Sequence, residues 1–184
     1  MTSIEAMGTK KSIAVRQYLL GSEERGTWMP SWTVQHVICA LRGGPESRET
    51  VSSTIDLALE TGARLTFFHV VDAEFLGYTS IGPLSVAYHE LLEMARFAMQ
   101  ILCDWAQRRG VVQVDFILRE GNIRNELRRL AVETHAEVMV MGRPRRDSGR
   151  NVFSANQFKA FIAELDLGGD LRTVQVTPSS SDEK

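Results

Sequence analysis

Val34-Gln35-His36-Val37-Ile38-Cys39-Ala40-Leu41, followed at once by Arg42-Gly43-Gly44-Pro45-Glu46-Ser47, is the stretch that decides the fold. An apolar run of strand length, continuous rather than alternating, predicts a strand covered on both faces. Two glycines and a proline stop it. From Glu46 to Thr61, Val51, Ile55, Ala58 and Leu59 recur at helical spacing, and Gly62 closes the segment. The alternation of strand and helix continues downstream, without an internal sequence repeat. Arg64 to Val71 (RLTFFHVV) is β-branched and aromatic, which predicts a strand. Ser85 to Arg109 predicts a long helix with Met94, Phe97, Ile101, Leu102 and Trp105 on its inward face and Gly110 as its stop. Val111 to Leu118 is a third strand. Asn122 caps a helix running to His135, with Ile123, Leu127, Leu130 and Ala131 inward. Glu137 to Met141 is a fourth strand, closed by Gly142. An amphipathic segment follows with Phe153, Phe158, Phe161, Ile162 and Leu165, and Leu171 to Val176 is a fifth strand.

Strands separated by helices cannot pair as hairpins. They form a parallel sheet with right-handed crossovers and helices on both faces, an α/β fold of one domain. The 184 residues divide into an N-terminal extension (1–33), this domain (34–177) and a polar tail (178–184). Two tryptophans fall within five residues of the extension, Trp28-Met29-Pro30-Ser31-Trp32. They are read either as aromatics docking on the domain surface or as a partner-binding or lid segment.

Twenty-one Lys and Arg stand against 23 Asp and Glu, a formal net charge of −2, which argues against a nucleic-acid or membrane-surface protein. No apolar run approaches a membrane span, and no h-region follows Lys10 and Lys11, so a cytoplasmic protein is expected. Cys39 and Cys103 lie in apolar contexts and read as small buried side chains. Within the near-neutral total, 17 of the basic residues are Arg and only four are Lys. Arg is the better residue for gripping carboxylate or phosphate bidentately.

In an open α/β sheet ligands sit beyond the carboxyl ends of the strands, where the winding reverses. That rule nominates the segments after Leu41, Val71, Leu118 and Met141. The turn after Leu41 is either a structural turn or an anion cradle at a helix N-terminus. The segment after the fourth strand, Gly142-Arg143-Pro144-Arg145-Arg146-Asp147-Ser148-Gly149-Arg150, carries four arginines and one aspartate. It is either a solvated loop or, together with Arg42, a rim for phosphates or carboxylates. No Walker A loop, G-x-S-x-G elbow or H-E-x-x-H motif occurs, and His36 and His69 fall inside strands as core or face histidines. His89 and His135 read as helix-surface residues, and Met94, Met99, Met139 and Met141 as packing residues. No enzyme is expected, and no metal.

His36 to Leu41 with its glycine turn and helix, then Leu65-Thr66-Phe67-Phe68-His69-Val70-Val71-Asp72, resembles the first half of a universal stress protein domain. Arg119-Glu120-Gly121-Asn122-Ile123 is similar to that family's G-[DN]-x helix opening, and Glu137 to Gly142 to its fourth strand and glycine. The resemblance covers about Val34 to Val176. It implies an adenine nucleotide alpha hydrolase-like fold with five strands ordered 3-2-1-4-5. It also implies a homodimer through the last edge strand (Leu171, Thr173, Val174, Gln175, Val176) and a role in stress response.

One branch of the family binds ATP and places an aspartate, which contacts adenine, where this chain has Arg42. A guanidinium cannot accept a hydrogen bond from the base. Gly142 matches the first glycine of that branch's phosphate motif. Arg145 replaces the second, and Ala155-Asn156 replaces the final Gly-Ser/Thr pair, with Ser154 one residue away. Val70 and Val71 suit an adenine pocket. The resemblance thus implies a regulatory or partner-binding domain that does not hold ATP in the usual manner. The alternative is a nucleotide or anion sensor, or a nucleotide-handling enzyme. Its candidate ligand residues are Ala40, Leu41, Arg42, Gly43, Val70, Val71, Gly142, Arg143, Arg145, Arg146 and Ser154. No cofactor is required by the sequence, and ATP stays an open alternative.

Overall fold

The computed structural model describes residues 34–42, 47–72, 83–142, 155–166 and 171–176. Strand β1 spans His36–Leu41 and leads to helix α1, Ser47–Thr61. Strand β2, Arg64–Val71, precedes the long helix α2, Pro83–Arg108. Strand β3 covers Val114–Glu120, helix α3 Ile123–Glu133 and strand β4 Val138–Gly142. Helix α4, Ala155–Asp166, and strand β5, Arg172–Val176, complete the order. Every strand pair is parallel, and the sheet runs β3-β2-β1-β4-β5. The α/β architecture anticipated from the alternating strands and helices is therefore the observed one.

Glycine ends three segments for a conformational reason. Gly62, Gly110 and Gly121 have φ of 69°, 107° and 120°, which a residue with a Cβ rarely adopts. Asn122 caps α3 as expected, its side chain accepting from the backbone N–H groups of Arg124 at 3.1 Å and Asn125 at 3.4 Å.

The strands are apolar throughout because each face has its own core. Val37, Cys39, Leu41, Leu65, Phe67, Val138 and Val140 pack with Val51, Ile55 and Ala58 of α1 and Met99 and Ala106 of α2. The alternate residues Ile38, Phe68, Val70, Met139 and Met141 pack with Leu127 and Leu130 of α3 and with Phe158, Phe161, Ile162 and Leu165 of α4. Phe67 and Phe68 are fully buried, and each contributes roughly 1.5–3 kcal/mol by leaving water.

Helix α2 departs from the sequence expectation. Met99 and Ala106 face the sheet, with Leu102 and Cys103 half-buried beside them. Met94, Phe97, Ile101 and Trp105, expected inward, point to solvent, with Met94 at 68% and Phe97 at 64% exposure. The periodicity is real, but it marks the outer side of the helix. Leu59 of α1 is likewise exposed. Val111 is buried ahead of β3 rather than within it, because its N–H closes the turn onto the Ala106 carbonyl at 3.1 Å. α3 ends at Glu133, so His135 is exposed just beyond it rather than on it.

The amino ends of β1, β2 and β3 lie level. Arg64 N–H donates to the Gln35 carbonyl at 2.8 Å and Leu65 N–H to the Gln113 carbonyl at 2.9 Å. The outermost strand, β3, has its charged residues tied to neighbours. Asp115 pairs with Arg64, Arg119 with Glu126 and Glu133 of α3, and Glu120 accepts from the Tyr88 hydroxyl of α2.

Candidate functional site

The carboxyl ends of β1, β2 and β4 meet at the centre of one sheet edge. Ala40 lies opposite both Phe68 and Met141, and Leu41 opposite His69. His69 Nδ1 donates to the Leu41 carbonyl at 3.0 Å, which pins the end of β1 to β2. On the other side of β2, Gly121 N–H donates to the Val71 carbonyl at 3.1 Å. The edge from which ligands are reached in this kind of sheet is thus knitted by hydrogen bonds on two sides.

Of the nominated residues, Leu41, Val70 and Val71 are buried, Ala40 is half-buried, and Arg42 and Gly142 are exposed at the rim. Val70 belongs to the core beneath α3 and α4. Gly43, Arg143, Arg145, Arg146 and Ser154 lie outside the described residues, so the cationic rim is represented structurally by Arg42 alone. Of the residues named for the last edge strand, Leu171, which stands just ahead of β5 rather than in it, and Val176 are buried, and Thr173 is half-buried. Val174 and Gln175 lie opposite Val140 and Met141 of β4.

Gly142 has a packing reason that sequence reading missed. A Cβ built there would stand 2.8 Å from the Oγ1 of Thr50, a buried residue in the first turn of α1. The absent side chain lets α1 approach the end of β4. No signal in the sequence links positions 50 and 142, because the contact exists only once β4 lies beside β1. The N-terminus of α3 also opens near this edge, but Asn122 already accepts from two of its N–H groups.

The thiols are not poised for nucleophilic chemistry. Burial pushes Cys39 up to about 12, against the opposing effect of the Thr54 hydroxyl, which lies 3.3 Å from its sulfur. Burial, with Asp115 nearby, pushes Cys103 up to about 11. Both are thiols rather than thiolates at neutral pH.

A polar chain that the sequence did not disclose lies at the opposite end of the sheet, on the α3/α4 face. Thr66 donates its single hydroxyl proton to Asp115 Oδ1 at 2.5 Å, so His36 Nε2, 2.7 Å away, is the donor to Thr66. Burial holds the His36 pKa below its usual 6.5, Arg64 lowers it further, and Asp115 and Glu137 oppose the shift. Asp115 bonds the hydroxyl rather than the imidazole. Thr66 is itself buried, so its hydroxyl is closed off from any substrate. Glu137 Oε2 accepts from His36 N–H at 2.8 Å and anchors β1 to the start of β4. Nearby a shallow groove of about 630 Å³ is lined by Arg128, His135, Glu137, Glu164 and Leu171. Arg128 and Glu164 pair across it at 2.6 Å.

Among the described residues no group of three or more His, Cys, Asp or Glu could hold a metal ion. No described helix is long and apolar enough to cross a membrane.

Solved structures share this fold. A universal stress protein from Lactobacillus plantarum superposes with a TM-score of 0.63 at 14% identity, covering 79% of this chain and 99% of its own. A universal stress family protein from Burkholderia pseudomallei gives 0.57 at 20% identity, covering 80% and 98%. A universal stress protein solved in complex with cAMP gives 0.55 at 19% identity, covering 80% and 100%. No curated protein sequence matches the chain. The model of the universal stress protein family matches residues 33–181, the span that contains every strand and helix described above. By that match the chain belongs to the universal stress protein family.

Proposed function

We propose that this chain is a regulatory or partner-binding stress-protein domain without catalytic activity that does not hold ATP in the family's usual manner. The observation that carries the reading is Arg42, exposed where β1 ends. A guanidinium there donates but cannot accept, so it offers the adenine amino group nothing. The packing of Gly142 against Thr50 supports the same reading, since that glycine is required whether or not a phosphate is present. Pairing of β5 with a second β5 through Leu171, Thr173, Val174, Gln175 and Val176 would give the homodimer that such a regulator uses. Sedimentation showing a monomer at every concentration would remove the dimer.

The test is a thermal shift screen with ATP, GTP, tripolyphosphate, phosphate and dicarboxylates. A ligand at 100 times its Kd adds about 2.7 kcal/mol, a shift of several degrees. The expected result is no stabilisation that depends on the base. Stabilisation by ATP that neither GTP nor tripolyphosphate reproduces would overturn the reading.

The arginines favour a second reading, a sensor for a nucleotide or other anion held by Arg42, Arg143, Arg145 and Arg146. A universal stress protein of this fold was solved in complex with cAMP, which supports that reading. Equal stabilisation by ATP, GTP and tripolyphosphate would select this second reading over the first.

A further inference from the structure

The groove on the α3/α4 face lies at the amino end of the sheet, away from the edge nominated for nucleotides. It opens where α3 and α4 finish and where β4 and β5 begin. Helix α3 contributes Arg128 and Val132, helix α4 contributes Glu164 and Leu165, and Glu137 and Leu171 come from just ahead of the two strands. Its volume, about 630 Å³, is that of a small-molecule site.

Two features set the charge of the groove. A helix carries about half a unit of negative charge at its carboxyl end, which a basic residue in the last turn ordinarily offsets. Neither α3 nor α4 has a basic residue there. The second feature is Glu137. Its backbone N–H donates to the His36 carbonyl at 3.2 Å, and its Oε2 accepts from the N–H groups of Gln35 at 3.2 Å and His36 at 2.8 Å. The carboxylate is thereby fixed in place with Oε1 outside those bonds, and among the described residues it has no ion-pair partner. Arg128 does not serve as one. Its guanidinium bonds both oxygens of Glu164, at 2.6 and 3.0 Å, and stacks over the Phe161 ring at 5.5 Å. That pair cancels, so the fixed carboxylate decides the sign of the groove. The remaining walls are apolar, with Leu165 and Leu171 buried and Val132 left 82% exposed.

We propose that this groove binds a small amphipathic amine, with its ammonium on Glu137 and an alkyl or aryl body against Val132, Leu165 and Leu171. An ammonium brings three donors to a carboxylate that already sits beside two helix carboxyl ends. An anion would meet that same field with the wrong sign, and a neutral apolar molecule would leave the carboxylate unanswered. One carboxylate within concave apolar walls suits one ammonium on a short body, not a strip of basic residues on a protein partner.

The experiment titrates phenethylamine, its neutral isostere phenethyl alcohol and the anion hydrocinnamate into the isotopically labelled full chain. Dissociation constants are read from the amide shifts of Val132, His135 and Glu137. Phenethylamine should bind at least about tenfold more tightly than the alcohol, the increment of one charge-assisted hydrogen bond, with hydrocinnamate weakest. Glu137→Gln keeps an oxygen for the Gln35 and His36 N–H groups, so the fold stands, and it should lower the amine to the alcohol's affinity. Val132→Lys sets a tethered ammonium at an exposed position of the groove and should weaken the amine about tenfold while leaving hydrocinnamate no weaker. Absence of binding by the amine, equal affinities for amine and alcohol, or an amine affinity that Glu137→Gln leaves unchanged would overturn the proposal. So would shifts confined to the carboxyl ends of β1 and β4. A lysine-containing peptide that binds more tightly than the free amine would also overturn it, by assigning the groove to a protein partner.

Discussion

Helices α1 and α2 lie on the same face of the sheet and treat their side chains in opposite ways. α1 buries Thr50 and Thr54 together with Val51, Ile55, Leu57 and Ala58. α2 leaves a phenylalanine, an isoleucine and three further large apolar side chains in water while turning Met99 and Ala106 inward. Polarity does not sort the two. Position over the sheet does. α1 contacts β1, β4, β2 and β5, so it sits above the middle of the sheet. Thr54 is tolerated there because its hydroxyl donates to the Thr50 carbonyl at 2.6 Å. α2 sits over the flank, above β2 and β3, with sheet beneath it. A central helix is covered by its surroundings, whereas a flanking helix is covered only below.

Matched truncations test this difference most directly. Ile55→Ala in α1 should remove about 2–5 kcal/mol, the range for emptying a fully buried site. Ile101→Ala in α2, the same chemistry on the same face, should remove less than about 1 kcal/mol, since half its surface is already accessible. Urea unfolding measures both, and equal losses would break the contrast between the helices.

The next effect concerns how closely α1 lies against the sheet. Gly142→Ala should destabilise by about 1–3 kcal/mol through overpacking against Thr50. Adding Thr50→Ala removes the Oγ1 that the new methyl meets, so the double variant should recover part of the loss. A double variant no more stable than Gly142→Ala would show that the glycine serves something other than α1.

Thiol labelling reports the same contrast more gently. Cys39 is sealed under α1, and Cys103 is half-buried on the sheet-facing side of α2. In the native protein Cys103 should label first, by roughly an order of magnitude in rate, with both slow because both thiols are held protonated. Cys39 labelling first would mean that α1, not α2, is the looser helix.

The smallest effect comes from the other face and serves as a control. His36 has its folded pKa below 6.5, so below that pH the unfolded chain takes up the proton more readily. Stability is therefore full above about pH 6.5 and falls as pH drops toward the lowered folded value. His36→Gln keeps a donor for Thr66 and should flatten the fall in Tm between about pH 7 and 5. The difference between Ile55→Ala and Ile101→Ala should not change over that range.

Much of the fold could be read from the residues. The runs VICAL and RLTFFHVV are apolar at consecutive positions, and only a strand packed on both faces needs that. Asn122 at the head of α3 and Gly62 and Gly110 at two helix ends do what their chemistry dictates. The apolar face of α2 was legible as a pattern but not as a direction, because periodicity fixes which residues share a face and not what lies opposite. The site was legible in part. Arg42 stands at the end of β1 because the strand register puts it there. The reason for Gly142 lies in a residue 92 positions earlier in the chain, and the His36–Thr66–Asp115 chain joins three strands. Contacts of that range have no local signature.

The charges on β3 also limit how copies of this molecule can add up. Asp115, Arg119 and Glu120 belong to the outermost strand and are already engaged. A newcomer pairing along that margin would set its side chains against these charges, which guards the margin against growth. A ribbon blocked on one side can lengthen only from the other. Two molecules meeting β5 to β5 would use up the open margin of both at once and present blocked margins outward, giving a particle that stops at two instead of a fibre.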